Sequence, residues 1–208
     1  MAISTYQTLK DSIISWSKRD DIDLLVDDFI RLTEVDMFKR TKYHERLEIK
    51  EEETTSTASV STKFFALPDN YSTWRSVKII VDSEYYDLKY RNPESMKRRD
   101  STGIPCFFTI GSQVELDITP DQAYSIEVNY FKKPAALTSA APTNIVLTNH
   151  PDIYLHGALY FLFKYSQDQQ QAQSHLDLYI DAIDGANNSD RDGRYGPAPT
   201  MTVSGATP

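Results

Sequence analysis

Residues Thr143 to Ala158, reading T-N-I-V-L-T-N-H-P-D-I-Y-L-H-G-A, constrain this chain more than any other stretch. Thr148 or Asn149 can cap the free N–H groups of a helix, Pro151 fits a first turn because it has no N–H to leave unpaired, and Asp152 favours the positive helix end. A helix is expected to begin here. Downstream stand Ile153, Tyr154, Leu155, Ala158, Leu159, Tyr160, Phe161, Leu162, Phe163 and Tyr165, apolar on nearly every face, which a surface helix of a lone domain does not tolerate. The spacing predicts either a central helix or one buried between subunits. Gly157 in its middle costs about 1 kcal/mol relative to Ala, so its expected use is to let another backbone come close.

Helical spacing recurs at both ends of the chain. Tyr6, Leu9, Ile13 and Trp16 repeat as one helix face, and a second face follows in Ile22, Leu25, Val26, Phe29 and Leu32. These two runs are expected to form a helical hairpin. Near the other end, Ala172, Leu176, Tyr179, Ile180 and Ile183 keep the same period.

Between them the period changes to two. Val114, Leu116 and Ile118 alternate with Glu115 and Asp117, and Tyr124, Ile126, Val128 and Tyr130 alternate with Ser125, Glu127 and Asn129. Thr119-Pro120-Asp121-Gln122 has the residues of a tight turn, so the two runs are expected to pair as an antiparallel hairpin. Further strands are expected at His44 to Lys50, Ser59 to Ala66, Trp74 to Val81, Tyr85 to Tyr90 and Pro105 to Ile110, with a short helix at Pro93 to Arg99. The whole reads as an α+β chain: an antiparallel four-helix bundle interrupted by an inserted antiparallel β-sandwich or barrel, with an extended C-terminal arm. In residue numbers, 1–42 and 134–186 are expected to form the two halves of the bundle, 43–133 the β domain and 187–208 the arm.

Composition excludes several function classes. Among 208 residues, 30 acidic side chains stand against 22 basic ones, and a net charge of -8 argues against tight, sequence-independent binding of DNA through its phosphates. Ordinary solubility charge accounts for the same balance. One cysteine, Cys106, supports no internal bridge, and with four scattered histidines it makes no zinc site. Met1 to Tyr6 lacks a basic start followed by an apolar core, and no run approaches about 18 apolar residues, so neither a signal peptide nor a membrane span is expected.

No pattern of catalytic chemistry stands out. Asp152 and His156 lie four apart on one helix face, but the zinc-protease arrangement of two histidines around a glutamate is absent. Asn188-x-Asp190-x-Asp192-Gly193 opens like a calcium loop, yet its twelfth position is Pro199 rather than a bidentate glutamate. Acid pairs such as Glu34 with Asp36, or Glu48 with the Glu51 to Glu53 run, could serve sugar hydrolysis only at a fixed separation across a cleft, which sequence does not supply. There is no Gly-rich phosphate loop and no nucleophile elbow, so neither an enzyme activity nor a cofactor is expected. Lys97-Arg98-Arg99, the densest basic cluster, reads as an exposed charge run or as a contact loop of the β domain toward an acidic neighbour. In the tail, Tyr195, Pro197, Pro199, Met201 and Val203 are apolar points on a polar stretch, as in an arm that docks on a partner.

Thr143, Asn144, His150, Pro151, Asp152, Tyr154 and Gly157 also carry a resemblance. The pattern T-N-x-x-L-x-x-H-P-D-x-Y-L-x-G-A resembles the signature of tailed-phage head-to-tail adaptors, the tail accessory factors beneath the portal. Ala66-Leu67-Pro68-Asp69-Asn70-Tyr71 with Arg75-Ser76-Val77, Gly103-Ile104-Pro105 with Phe108, Ile110 and Gly111, and Tyr130 to Leu137 extend it over most of the chain. Ile145 stands where many members carry Trp. The resemblance implies a structural protein of the virion neck, assembled in the host cytoplasm, with about twelve copies in a ring. Its implied partners are the portal, reached by the arm, and a downstream tail or nozzle protein, with DNA as passing cargo. Two readings of other classes stand beside it: a tail enzyme that cleaves peptidoglycan, and a carbohydrate-binding β module using some of the 13 tyrosines and two tryptophans.

Overall fold

The computed structural model describes residues 2–19, 21–48, 53–97 and 99–195. Two compact units share the chain, one formed by Met1–Lys50 with Ala135–Pro208 and the other by Glu51–Pro134.

Among the described residues, five helices build the first unit: α1 (Tyr6–Ser17), α2 (Val26–Met37), α3 (Ile145–Asn149), α4 (Pro151–Tyr165) and α5 (Gln169–Tyr195). Thr5 starts α1 with a reciprocal cap, accepting from the Thr8 amide at 3.2 Å while the Thr8 hydroxyl accepts from the Thr5 amide at 2.9 Å. The over-apolar run is central: α4 packs against α1, α2 and α5, and Ile153, Tyr154, Ala158, Leu159 and Leu162 are wholly buried. Gly157 does admit a close neighbour, but the wall is made of side chains. A Cβ there would stand 2.3 Å from Thr33 Cγ2 and 3.0 Å from Tyr179 Cε2.

The helix start departs from expectation. Asn144, rather than Thr148 or Asn149, is the capping residue; its Oδ1 accepts from the Leu147 amide at 2.8 Å and opens α3. Thr148 and Asn149 lie inside α3, and Pro151 opens α4 after His150, whose φ of -136 and ψ of 61 break the helical run. The pyrrolidine ring of Pro151 disfavours helical backbone at the residue before it, which explains the break.

Two other expectations fail in this unit. The described part of the expected strand at 44–50 has no strand; Leu47 donates its amide to the Met37 carbonyl at 2.9 Å and buries its side chain in the helical core. Its buried residues, His44 and Leu47, stand three apart, a spacing that no strand face has. Residues 187–195, expected in an extended arm, continue α5 as helix. Ala186, Asn187 and Asp190 are buried along one side, so tertiary packing sustains a helix whose composition alone would not. The calcium-loop-like stretch 188–193 is therefore helical. Pro197, Pro199, Met201 and Val203 lie outside the described residues, as does Arg98.

In the second unit, one sheet has the order β1 (Glu53–Val60), β10 (Tyr124–Lys132), β3 (Tyr71–Val81), β4 (Glu84–Asp87), all antiparallel. The other has the order β2 (Phe64–Phe65), β8 (Val114–Leu116), β7 (Phe107–Ile110), β5 (Lys89–Tyr90), with β5 parallel to β7. A short parallel pair joins β6 (Thr102–Gly103) to β9 (Thr119–Pro120). Neither sheet closes into a barrel among the described residues. Both feed one core, where Val77, Ile79, Ile126 and Val128 of the first meet Phe108, Val114 and Leu116 of the second.

The expected hairpin of Val114–Ile118 with Tyr124–Tyr130 does not form. Its first strand pairs with β7 and β2, and its second lies between β1 and β3 in the other sheet. Alternation identifies the face of a strand and not its partner. Here Val114, Glu115 and Leu116 are all buried, so the first strand has no solvent face at all. Pro93 to Arg99 turns without forming a helix in its described residues.

Candidate functional site

Two of the signature residues, Asn144 and Tyr154, form a part-buried polar latch with Glu34. Asn144 donates its amide nitrogen to the Ala135 carbonyl at 3.0 Å and to the Tyr154 hydroxyl at 2.7 Å. Tyr154 donates in turn to Glu34 Oε1 at 3.2 Å, and the same oxygen accepts from the Leu137 amide at 2.7 Å. Burial pushes the Glu34 carboxyl up, against the opposing pull of the Leu137 amide, Tyr154 and Arg31. The chain entering α3 is thereby fastened to α2. Pro151 sits at the first position of α4, Asp152 is exposed in its first turn and Thr143 is exposed ahead of α3.

A second network holds the segment after α2. His44 contacts Asp36 Oδ2 through Nε2 at 3.1 Å and the Glu45 carbonyl through Nδ1 at 2.7 Å. Both partners are acceptors, so satisfying both contacts requires a proton on each ring nitrogen. Burial lowers the His44 pKa, yet the bonds to Asp36 and the Glu45 carbonyl outweigh it and hold the ring above its ordinary value. Tyr179 meets the ring edge-on, with centroids 5.4 Å apart. Further along α5, the Asn187 side chain accepts from the Glu48 amide at 2.9 Å and donates to the Arg46 carbonyl at 3.0 Å.

His156 pairs with His175 rather than with Asp152, Nδ1 to Nδ1 at 3.2 Å, and Phe163 stacks on His175 at 5.4 Å. Burial lowers both pKa values, with Asp152 opposing at His156 and the neighbouring ring adding at His175. Glu34 and Asp36, one of the acid pairs weighed for hydrolysis, serve separate structural networks.

What remains available is surface. Leu24 is 94% exposed, Tyr165 62% and Val35 50%, and Val35 shares with Leu32 the solvent side of α2, opposite buried Phe29, Ile30 and Thr33. On the β unit, Lys97 and Arg99 of the basic cluster meet Arg91, Met96, Phe107 and Asp117 around a cleft of about 290 Å³. Arg91 lies over the Phe107 ring at 4.6 Å from its centroid. Asp117 is spent inward, accepting from the Cys106 and Phe107 amides at 3.1 and 3.2 Å. The cluster was legible in sequence, whereas Arg91, Phe107 and Asp117 arrive from other segments. Glu34 was equally hidden as a latch member, because nothing local pairs it with a tyrosine 120 residues away.

Tyr195 closes α5, and among the described residues no helix is long and apolar enough to cross a membrane. No curated protein matches the chain. A family model described as SU10 adaptor protein matches residues 4–201, nearly the whole length, and the chain therefore belongs to that family of phage adaptor proteins, as its signature and companion blocks imply.

Proposed function

We propose that this chain is a structural head-to-tail adaptor of a tailed phage, forming a ring of about twelve copies beneath the portal that joins the capsid vertex to the tail and lines the DNA exit channel. The family match over residues 4–201 carries the reading. In it, the four long helices act as a bundle, the two larger sheets act as a sandwich, and the ring is built in the host cytoplasm before entering the virion neck. The exposed Leu24, Leu32 and Val35 supply apolar surface for neighbouring subunits. An acidic chain repels passing DNA, as a conduit should, with net charge -8.

The arm of this reading begins after α5. Residues 196–208, with Pro197, Pro199, Met201 and Val203 as apolar points, dock on the portal, and Lys97, Arg98 and Arg99 belong to a contact surface of the β unit. Light scattering of the purified chain, alone and mixed with the portal of the same phage, tests the whole. Addition of about twelve copies per portal ring is expected. A protein that stays apart from the portal at every concentration overturns the reading. Removing residues 196–208 should abolish portal binding and leave the melting of the fold unchanged; unaltered binding would assign the contact elsewhere.

A further inference from the structure

The cleft of the β unit gathers three cations against one carboxylate in an acidic chain. Arg91, Lys97 and Arg99 line it, and among the described residues none of the three takes part in an ion pair. The one carboxylate in its wall, Asp117, is buried and bonded to backbone amides. Phe107 and Met96 give it an apolar lining. Such a site suits a carboxylate next to an aromatic or aliphatic side chain.

A matching element stands on the same unit. The hairpin of β3 and β4 turns at Asp82 and Ser83, with Val81 opposite Glu84 across the turn. Both turn residues have positive φ, 50 and 69, a conformation that glycine or asparagine would hold with less strain. The turn keeps an acid there. Beyond it, every residue of Glu84-Tyr85-Tyr86-Asp87 is exposed, Tyr85 to 59%. Asp87 lies opposite Lys78, which leaves Asp82 and Glu84 as the acids at the tip. Asp82, Glu84 and Tyr85 thus offer negative charge to the cations of the cleft and an aromatic side chain to its apolar lining.

None of residues 82–87 lines the cleft within one copy. From Glu84 the strand runs back along β3 until the Leu88 amide bonds the Val77 carbonyl, roughly 13 Å of extended chain, before Arg91 joins the other sheet at the Phe108 carbonyl. We infer that the Asp82–Asp87 hairpin of one copy enters the Arg91, Lys97 and Arg99 cleft of the next. Two different patches then make a head-to-tail contact, which closes into a ring when its rotation permits. This rests on the reading that copies of the chain assemble side by side, and it names the β-unit surfaces that join them. Exposed charge pairs give orientation and salt dependence more than strength, so the contact acts at the high local concentration of an assembling ring.

Two reciprocal double variants test it. R91E/R99E makes the cleft acidic and D82K/E84K makes the tip basic; Lys18 already tolerates a φ of 53 in this chain. Sedimentation equilibrium in low salt, at about 1 mM protein to match the effective concentration of tethered neighbours, reads association directly. Wild type should associate, each variant should associate about tenfold more weakly or less, and an equimolar mixture should recover, because each altered surface finds its complement in the other variant. Far-UV spectra and melts matching wild type certify the fold of both.

A wild type that stays monomeric, reversals that change nothing, or a mixture that fails to recover overturns the inference. So does binding of a single-stranded oligonucleotide that R91E/R99E abolishes while copy-to-copy association is untouched, which would assign the cleft to nucleic acid. Portal binding is scored separately. Normal association without portal binding defeats the adaptor reading alone, and portal binding with association insensitive to the reversals defeats this inference alone.

Discussion

The Tyr154 hydroxyl on α4 lies 3.2 Å from the Glu34 carboxylate on α2, bridging residues 120 positions apart. Asn144 donates to the same hydroxyl at 2.7 Å, so one oxygen links the cap of α3, the body of α4 and the side of α2. At Asn144 and Tyr154 the signature closes the helical unit. Asn144 does double service: its oxygen starts a helix and its nitrogen anchors that helix to the latch.

Tyr154→Phe removes that oxygen and leaves Glu34 and Asn144 each short of one partner at a site sheltered from water. A loss of about 1–3 kcal/mol is expected, the cost of an unmet buried polar group. Tyr160→Phe is the control, because the contact it loses, with Lys164, is exposed; a change within about 0.5 kcal/mol is expected. Urea unfolding followed by far-UV circular dichroism measures both, and equal effects would show that the latch contributes nothing beyond the aromatic ring.

Gly157→Ala pits helix propensity against space. Alanine favours a helix interior by about 1 kcal/mol over glycine, but its Cβ would fall 2.3 Å from Thr33 Cγ2. Overpacking of that kind costs about 1–3 kcal/mol, so the substitution should destabilise. In a Thr33→Ala background the nearest wall is gone, and the same substitution should cost less or turn favourable. A double-mutant cycle should report a coupling of about 0.5–3 kcal/mol; additive effects would mean that Thr33 is not the obstacle.

Much of the fold was legible because burial writes its period into sequence. Leu9 with Ile13 on α1, and Val26 with Phe29 on α2, are core residues spaced as a helix requires, whereas Trp16 and Leu32, read on the same faces, are exposed. The over-apolar α4 likewise revealed a central position. What failed was whatever depends on partners. Tyr124 to Tyr130 alternates as a strand should, yet nothing in alternation selects β1 and β3 as its neighbours over Val114 to Leu116. Asn187 looked like the start of a polar arm because its partners, the Glu48 amide and the Arg46 carbonyl, lie some 140 residues earlier. The candidate surfaces divide in the same way: Lys97 and Arg99 were visible as a charge run, but only folding brings Arg91 and Phe107 beside them.

The histidines give the helical unit a stability that falls on both sides of a maximum. His44 has a folded pKa raised above its ordinary value, so its contribution is fully present below about pH 6.5 and is lost as pH rises through the raised value. His156 and His175 have lowered folded pKa values, so theirs is present above about pH 6.5 and is lost as pH falls through those lower values. Urea midpoints of the full chain near pH 5, 6.5 and 8, compared between wild type and single variants, separate the two sides because other titrating groups cancel in the difference. His44→Gln should flatten the alkaline fall and leave the acid fall unchanged. His175→Phe should lessen the acid fall by the share of His175 itself and leave the alkaline fall unchanged, since burial still lowers the His156 pKa and the stacking surface against Phe163 is kept. A His44→Gln chain that loses stability with rising pH as steeply as wild type would show that His44 is not charged in the fold, and its two acceptor partners at 2.7 and 3.1 Å would then require another explanation.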